Sequence, residues 1–408
     1  MGCCLKSEAD SLDSSLAELA RLTDTAQADV IRQIKQVRDG LNPAWLIGKG
    51  KLEEISEMVQ EHQIDLVIFD RELTPKQLAN LDEAIPCKVL DRTQLILDIF
   101  AMRAWTKEGR LQVELAQLEY LLPRLTGQGT KLSRLGGGIG TRGPGEKQLE
   151  IDRRHIRRRI LQIKKGLEKV VKHRQLHQSR RRKMDVTQVT LVGYTNAGKS
   201  TLLNRLTGAE VLQEDRLFAT LDPTSRFLEL PSGEWVMLTD TVGFIRHLPH
   251  HLVAAFRSTL EQVRDADILL HVVDGNHPEA DEQMKAVEKV LEELGANDIP
   301  ILTVFNKRDR MEHQLVTAPG ETIHMSAFND EDLQQLLLQV DQMIHSTHFH
   351  GTAEIPVSRG EMISHLYRVA DVIQSEVKGL TMEVSFRLPL RRYERMSDDI
   401  KACIRKDY

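Results

Sequence analysis

At 408 residues, with a net charge of −5, 28% charged and 41% hydrophobic residues, the chain has the composition of an ordinary globular protein and length for two or three domains. No apolar run approaches a membrane span, and Met1 to Ser7 lacks an apolar signal core. The four cysteines (Cys3, Cys4, Cys87, Cys403) form no C-x-x-C pair, so neither a zinc site nor a disulfide framework is indicated, and a reducing, cytoplasmic setting follows. Met1-Gly2 invites an acylation reading, but Lys6 stands where that pattern wants Ser or Thr.

Residues 11–100 alternate helix and strand patterns. Ser14 to Leu22 reads as a helix, Lys51 to His62 as another, and Ile64 to Phe69 as a buried strand. Pro75 opens a helix at its first turn, Lys88 to Leu90 is a short strand, and Thr93 to Ala104 is helical. Met1 to Asp10 does not read as a strand. Nothing in this α/β unit forms a catalytic constellation, and Gly48-Lys49-Gly50-Lys51 lacks phosphate-loop spacing.

Two heptad seams come next. Leu111, Leu115, Leu118, Leu122 and Leu125 repeat at 4, 3, 4, 3, as do Ile156, Ile160, Ile163, Leu167 and Val170. Each stripe needs a cover, either the globular body or, as matched heptads flanking a single connection favour, the other arm of an antiparallel helical hairpin. The second arm, Gln148 to Arg182, reaches ~50 Å at 1.5 Å per residue. From Ile151 to Lys183 fourteen basic residues face only Asp152 and Glu168, a local charge of +12 that suggests a polyanionic partner. Between the arms lies Arg134-Leu135-Gly136-Gly137-Gly138-Ile139-Gly140-Thr141-Arg142-Gly143-Pro144-Gly145. No strand precedes its G-x-G-x-x-G, so it is not a dinucleotide fingerprint. It is either a flexible linker or, with Lys131, Arg134 and Arg142, a loop for RNA phosphates.

From Thr187 to about Ser346 strands (Val189–Val192, Arg226–Leu230, Trp235–Leu238, Ile268–Val273, Ile301–Phe305, Thr322–Met325) alternate with helices, as in a doubly wound sheet. The first ends in Gly193-Tyr194-Thr195-Asn196-Ala197-Gly198-Lys199-Ser200-Thr201, which fits G-x-x-x-x-G-K-[ST]. Gly193 and Gly198 allow the backbone N–H groups to face phosphate, Lys199 brings a charge to the β- and γ-phosphates, and Ser200 offers a hydroxyl to Mg²⁺. Asp240-Thr241-Val242-Gly243 follows a strand, with Asp240 placed for the metal and the Gly243 N–H for a γ-phosphate. In Asn306-Lys307-Arg308-Asp309 a carboxylate at Asp309 accepts from guanine N1–H and the 2-amino group, donors that adenine lacks. Ser326, Ala327 and Phe328 follow the last strand, their N–H groups in reach of the base O6. Phe218-Ala219-Thr220-Leu221-Asp222-Pro223 forms an exposed connection whose Thr220 gives the metal a second hydroxyl when a γ-phosphate draws it in. Five motifs in this order specify a GTP-binding domain.

Order and wording place these motifs in the P-loop superfamily of the translational GTPases. Val113-Glu114-Leu115-Ala116-Gln117-Leu118, Gly137 to Glu146, Gly193 to Ser200, Phe218 to Asp222 and Asp240-Thr241-Val242-Gly243-Phe244-Ile245 resemble the bacterial HflX GTPases from about residue 14 onward. The resemblance implies GTP hydrolysis with Mg²⁺ at Ser200, Thr220 and Asp240, and catalysis through Lys199, Thr220 and Gly243. It implies binding of the large (50S) ribosomal subunit, with loop 134–146 and arm 151–183 on ribosomal RNA, a role in splitting or rescuing stalled ribosomes under stress, and a monomer off the ribosome. That family begins with an extra strand, absent from the reading of Met1 to Asp10, so a truncated or divergent start is expected.

Many GTPases place a Gln after D-x-x-G to orient water; Phe244 cannot, so slow intrinsic hydrolysis awaiting a partner is expected. His247, His250 and His251 have no Cys or paired carboxylate at ligand spacing and read as switch surface. The expected fold is α/β: a P-loop GTPase domain with a mostly parallel doubly wound sheet (185–348), preceded by a small α/β domain (1–105) and a helical hairpin (106–184, glycine-rich loop 126–146). A small α+β domain (349–408), read as a strand, a helix (Glu361 to Glu376) and a strand (Thr381 to Arg387), ends the chain. The alternative function is a regulatory switch on a membrane or protein effector; the absence of exposed aromatics opposite the basic face argues against membrane.

Overall fold

The computed structural model describes residues 1–125, 144–184, 186–208, 217–218, 220–246, 262–310, 317–346, 348–389, 393 and 396–406, the side chains of 144–149, 171, 173–184, 348, 371, 389 and 406 excepted. The chain divides into two compact units, residues 1–228 with 235–329, and residues 229–234 with 330–408.

The first unit begins with a strand. Gly2–Leu5 (β1) pairs in parallel with Lys35–Arg38 (β2), which corrects the expectation for Met1 to Asp10. Four residues are too few to show a period, but Cys3 and Cys4 act as small apolar groups and are both buried. A Cβ on Gly2 would lie 2.7 Å from Leu12 Cδ1, so the strand presses directly on the helix Leu12–Thr25 (α1). The helix Lys49–Glu61 (α2) follows β2 and leads into Leu66–Phe69 (β3), parallel to Lys88–Asp91 (β4). Met1 links the two pairs: its ammonium donates to the Ile68 carbonyl at 2.7 Å and its carbonyl accepts from the Asp70 N–H at 3.0 Å. Pro75–Ala84 (α3) starts on a capping box of Thr74 and Gln77. Asp91 caps Arg92–Arg103 (α4), accepting from the Gln94 N–H at 2.9 Å.

Lys107–Arg124 (α5) and Pro144–Met184 (α6) form the helical pair. Leu115, Ile160 and Ile163 are buried between them, flanked by Leu111, Leu118, Leu122, Ile156 and Leu167. Leu111, one turn into α5, lies 3.6 Å from where a Cβ of Gly166 would sit, past the middle of α6, as an antiparallel pair requires. Arg159 makes a bidentate pair with Glu114 (2.6 and 2.9 Å), and Lys164 meets Glu119 at 2.8 Å. Both pairs are exposed, so the apolar seam contributes most of the association. The glycine-rich segment 126–143 and the side chains of 173–183 lie outside the described residues.

Next comes a six-stranded sheet of Thr187–Gly193 (β5), Thr224–Glu229 (β6), Trp235–Asp240 (β7), Ile268–Asp274 (β8), Ile301–Asn306 (β9) and Glu321–His324 (β10), in the order β10-β9-β8-β5-β7-β6. The β10–β9, β9–β8, β8–β5 and β5–β7 pairings are parallel. The helices Lys199–Thr207 (α7) and Ala280–Leu294 (α8) follow β5 and β8. Strand β5, the first of this sheet in the chain, lies in its middle, so the loop after it opens where the strand order reverses.

In the second unit Asp330–Ser346 (α9) precedes a β-α-β-β-α-β run: His348–Pro356 (β11), Gly360–Val369 (α10), Asp371–Lys378 (β12), Thr381–Pro389 (β13), Asp398–Lys401 (α11) and Ile404–Lys406 (β14). The sheet order β12-β13-β11-β14 is ferredoxin-like. The helix expected through Glu376 ends at Val369. Val372, Ile373 and Val377 favour extended backbone, and residues 371–378 pair with β13 instead. No helix among the described residues is long and apolar enough to cross a membrane.

Candidate functional site

The loop between β5 and α7 has the geometry that its glycines permit. Gly193 sits at φ 149°, and a Cβ there would fall 2.1 Å from the Val272 carbonyl. Gly198 sits at φ 101°, with the Asn306 side-chain nitrogen 2.2 Å from a hypothetical Cβ. Any larger residue collides with neighbouring strands at either position. Beneath the loop, Asn306 Nδ2 donates to the Ala197 carbonyl at 3.0 Å. Lys307 Nζ donates to the Asn196 carbonyl at 2.9 Å while paired with Asp274 at 2.7 Å. Lys199 is buried, its ammonium donating to the carbonyls of Gly193 (3.0 Å) and Tyr194 (2.7 Å). Burial pushes its pKa down to about 8, with the Asp240 carboxylate pulling the other way. Thr201 continues the same helical turn, half-buried.

Three oxygens converge beside it. Ser200 Oγ donates to Asp240 Oδ2 at 2.6 Å and lies 2.8 Å from Thr220 Oγ1. Asp240 Oδ1 and Thr195 Oγ1 are buried without a hydrogen-bond partner among the described residues. Burial raises the Asp240 carboxyl, against Lys199, Ser200, Thr220 and the Thr241 N–H, which favour the charged form. An orphaned carboxylate oxygen beside two hydroxyls is a hard-oxygen donor set, and it fits a divalent cation such as Mg²⁺.

Thr241 is buried with its hydroxyl on the Leu191 carbonyl (2.7 Å), and Val242 is buried beside it. Gly243 passes so close to the loop that a Cβ would sit 2.7 Å from Thr195 Cγ2 and 3.1 Å from Lys199 Nζ. The next residue zips to the loop: the Phe244 N–H donates to the Gly193 carbonyl at 3.1 Å, and its carbonyl accepts from the Thr195 N–H at 2.8 Å. The Phe244 ring is buried among Val192, Val263 and Leu269. It therefore takes no part at the phosphate site. His247, His250 and His251 lie outside the described residues.

At the base end, Asp309 is half exposed and accepts from Ser326 Oγ at 2.5 Å. The Ala327 N–H donates to Asn306 Oδ1 at 3.0 Å, so Asn306 joins the two loops. Arg308 is exposed, its N–H on the Met325 carbonyl, and the Phe328 ring is 64% exposed.

The connection expected to be exposed is instead anchored on the N-terminal half. The Phe218 ring packs edge-on against Phe100 (centroids 4.6 Å apart), Leu221 is buried, and the Leu217 N–H donates to Thr25 Oγ1 at 3.2 Å. The Asp222 carboxylate accepts from the N–H groups of Trp105 (2.9 Å) and Thr106 (2.8 Å) and from Thr106 Oγ1 (2.5 Å). Ala219 lies outside the described residues. Tyr194 also turns away from the phosphate side. Its hydroxyl donates to Glu18 at 2.6 Å and accepts from the Arg246 N–H at 2.7 Å. Glu18 is paired with the buried Arg92, which also holds Asp70 at 3.0 Å. Glu18, Arg92 and Thr106 were not singled out from sequence. The one available signal was Arg92 itself, a cation between the apolar pairs Val89-Leu90 and Leu95-Ile96.

Comparison with known proteins decides the family. Residues 13–101 match the family described as GTP-binding GTPase N-terminal, 103–181 its Middle Region, and 188–307 a family described as 50S ribosome-binding GTPase. GTPase HflX of Alkalihalophilus pseudofirmus is 51% identical over 89% of this chain and 86% of its own length. GTPase HflX of Escherichia coli K12 is 42% identical over 95% and 93%. The chain belongs to the HflX family. As a member it is a GTP hydrolase with a P-loop GTPase fold. Among solved structures, a GTP-binding protein of Sulfolobus solfataricus in complex with GDP is 25% identical, covering 84% of this chain and 98% of that one, at a TM-score of 0.45.

Proposed function

We propose that this HflX-family GTPase binds the large ribosomal subunit from the cytoplasm and uses GTP binding and hydrolysis to split or rescue stalled ribosomes. The observation that carries the ribosomal part is the helical pair. Arg154, Arg157, Arg158, Lys164, Lys165, Lys169 and Lys172 are exposed on α6 while its apolar seam is covered by α5. A rigid basic rod suits a polyphosphate surface. The matched description "50S ribosome-binding GTPase" supports the same partner.

In this reading the N–H groups at residues 198–201 hold the α- and β-phosphates at the α7 N-terminus, and the Lys199 ammonium exchanges its two carbonyls for β- and γ-phosphate oxygens. Ser200, Thr220 and Asp240 would hold Mg²⁺, which would supply positive charge to offset the negative charge developing on the phosphates. The Gly243 N–H meets the γ-phosphate, and Asp309 with Ser326 selects guanine. Phe244, buried and apolar, leaves water unoriented, so turnover is slow until the ribosome supplies or orders the missing group. Sedimentation with large subunits in a non-hydrolysable GTP analogue, repeated in GDP, tests this. Nucleotide-dependent co-sedimentation with accelerated GTP turnover is expected. Equal pelleting in both nucleotides with unchanged turnover would refute it.

A further inference from the structure

We propose that Asp222 is a positioning residue: docked on the N-terminus of α5, it holds Thr220 in place for the metal and thereby favours the triphosphate over the diphosphate. The proposal rests on the nucleotide-site reading above and adds what fixes its second hydroxyl. Thr220 has the Ser200 hydroxyl 2.8 Å away on one side, and two residues later Asp222 is held by three donors on the other. Two residues span at most about 7 Å, so anchoring Asp222 confines Thr220.

The contact is not required by α5. Thr106 already caps the helix, accepting from the Gly109 N–H at 2.9 Å. Trp105 is 76% exposed, so water could satisfy its N–H as well. What the carboxylate secures is the connection, not the helix. Gly109 carries the second observation. It stands in the first turn of α5, where a glycine weakens a helix. A Cβ there would fall 2.6 Å from Asp222 Oδ1 and 3.1 Å from Thr106 Oγ1. The helix keeps a glycine where the Cβ of any other residue would press on the Asp222 carboxylate and force it to shift.

That arrangement makes Gly109→Ala a discriminating variant. If Gly109 mattered only to α5, alanine would stabilise the helix and leave nucleotide binding alone. If the space serves Asp222, alanine lowers affinity for a non-hydrolysable GTP analogue about tenfold and leaves GDP affinity within twofold, because the diphosphate does not draw on Thr220. Both affinities are read by displacement of a fluorescent guanine nucleotide from the full-length protein, with Mg²⁺ present. A cycle completes the test: Asp222→Ala loses the same preference, and Gly109→Ala adds nothing to it in the double variant. Thr106→Ser, which retains the hydroxyl, binds the analogue like the parent, whereas Thr106→Val is weaker. Parallel losses of GDP and analogue binding, an unaffected Gly109→Ala, or additive effects in the double variant would each overturn the proposal. A parent protein that bound neither nucleotide would instead refute the nucleotide site itself.

Discussion

Raising the pH from 7 to 9 weakens guanine-nucleotide binding, through Lys199. Its ammonium is buried, with a pKa of about 8 in the nucleotide-free protein, and its neighbours there are two carbonyls and Asp240. Phosphate oxygens favour the charged form far more strongly, so above pH 8 binding must take up a proton. A group with a pKa of about 8 is roughly nine-tenths charged at pH 7 and one-tenth charged at pH 9. Affinity therefore falls about tenfold across that interval, or about 1.4 kcal/mol. Titration calorimetry of GDP in buffers of differing ionisation enthalpy measures both the affinity and the proton uptake. Lys199→Arg, permanently charged, serves as the control: weaker at pH 7, but flat to pH 9. An affinity independent of pH in the parent, or the same slope in the arginine variant, would refute the assignment.

Tyr194→Phe leaves the Arg246 N–H and Glu18 without their shared partner at a buried site, and costs about 1–3 kcal/mol, seen as a lower urea midpoint at unchanged slope. His271 is buried beside Lys199; burial first, then the Lys199 charge, lowers its pKa to about 4. The unfolded chain takes up that proton below about 6.5, the native one only near 4, so stability is lost as pH falls through that window. The loss reaches at most about 3 kcal/mol, and His271→Gln flattens the thermal-denaturation profile there. Phe244→Gln does not speed intrinsic hydrolysis in a single-turnover GTP assay, because the side chain points into the apolar cluster, and it lowers the melting temperature through about 1–3 kcal/mol of buried amide.

The GTPase motifs were legible because each of their residues has a local reason. Gly193 and Gly198 are required by clashes with Val272 and Asn306, and the strands before each motif carry long apolar runs. The helical pair was legible for a similar reason, since a 4, 3 spacing states its own need for cover. Two short elements escaped. The Gly2–Leu5 strand is too brief to show a period, and residues 371–376 follow a helix with no turn signal between, so only the β-branched Val372 and Ile373 and the pairing with β13 mark them as a strand. The docking of Leu217, Phe218, Leu221 and Asp222 on the N-terminal half was invisible for another reason. Asp222 and Thr106 lie 116 positions apart, and nothing in either neighbourhood announces the other. Polar contacts between distant segments leave no periodic trace.

Helix α6 has a mechanical property that follows from where α5 grips it. Its 41 residues run from 144 to 184, and the pairs at Arg159 and Lys164 lie near the midpoint. About 30 Å extends to either side at 1.5 Å per residue, so a tilt of about 5° shifts the two ends by roughly 2.6 Å in opposite senses. The apolar seam from Ile156 to Leu167 clamps about 17 Å of that length, and the two ends project beyond it. One end adjoins the glycine-rich segment, and the other stops three residues before Thr187, where the strand carrying the phosphate loop begins.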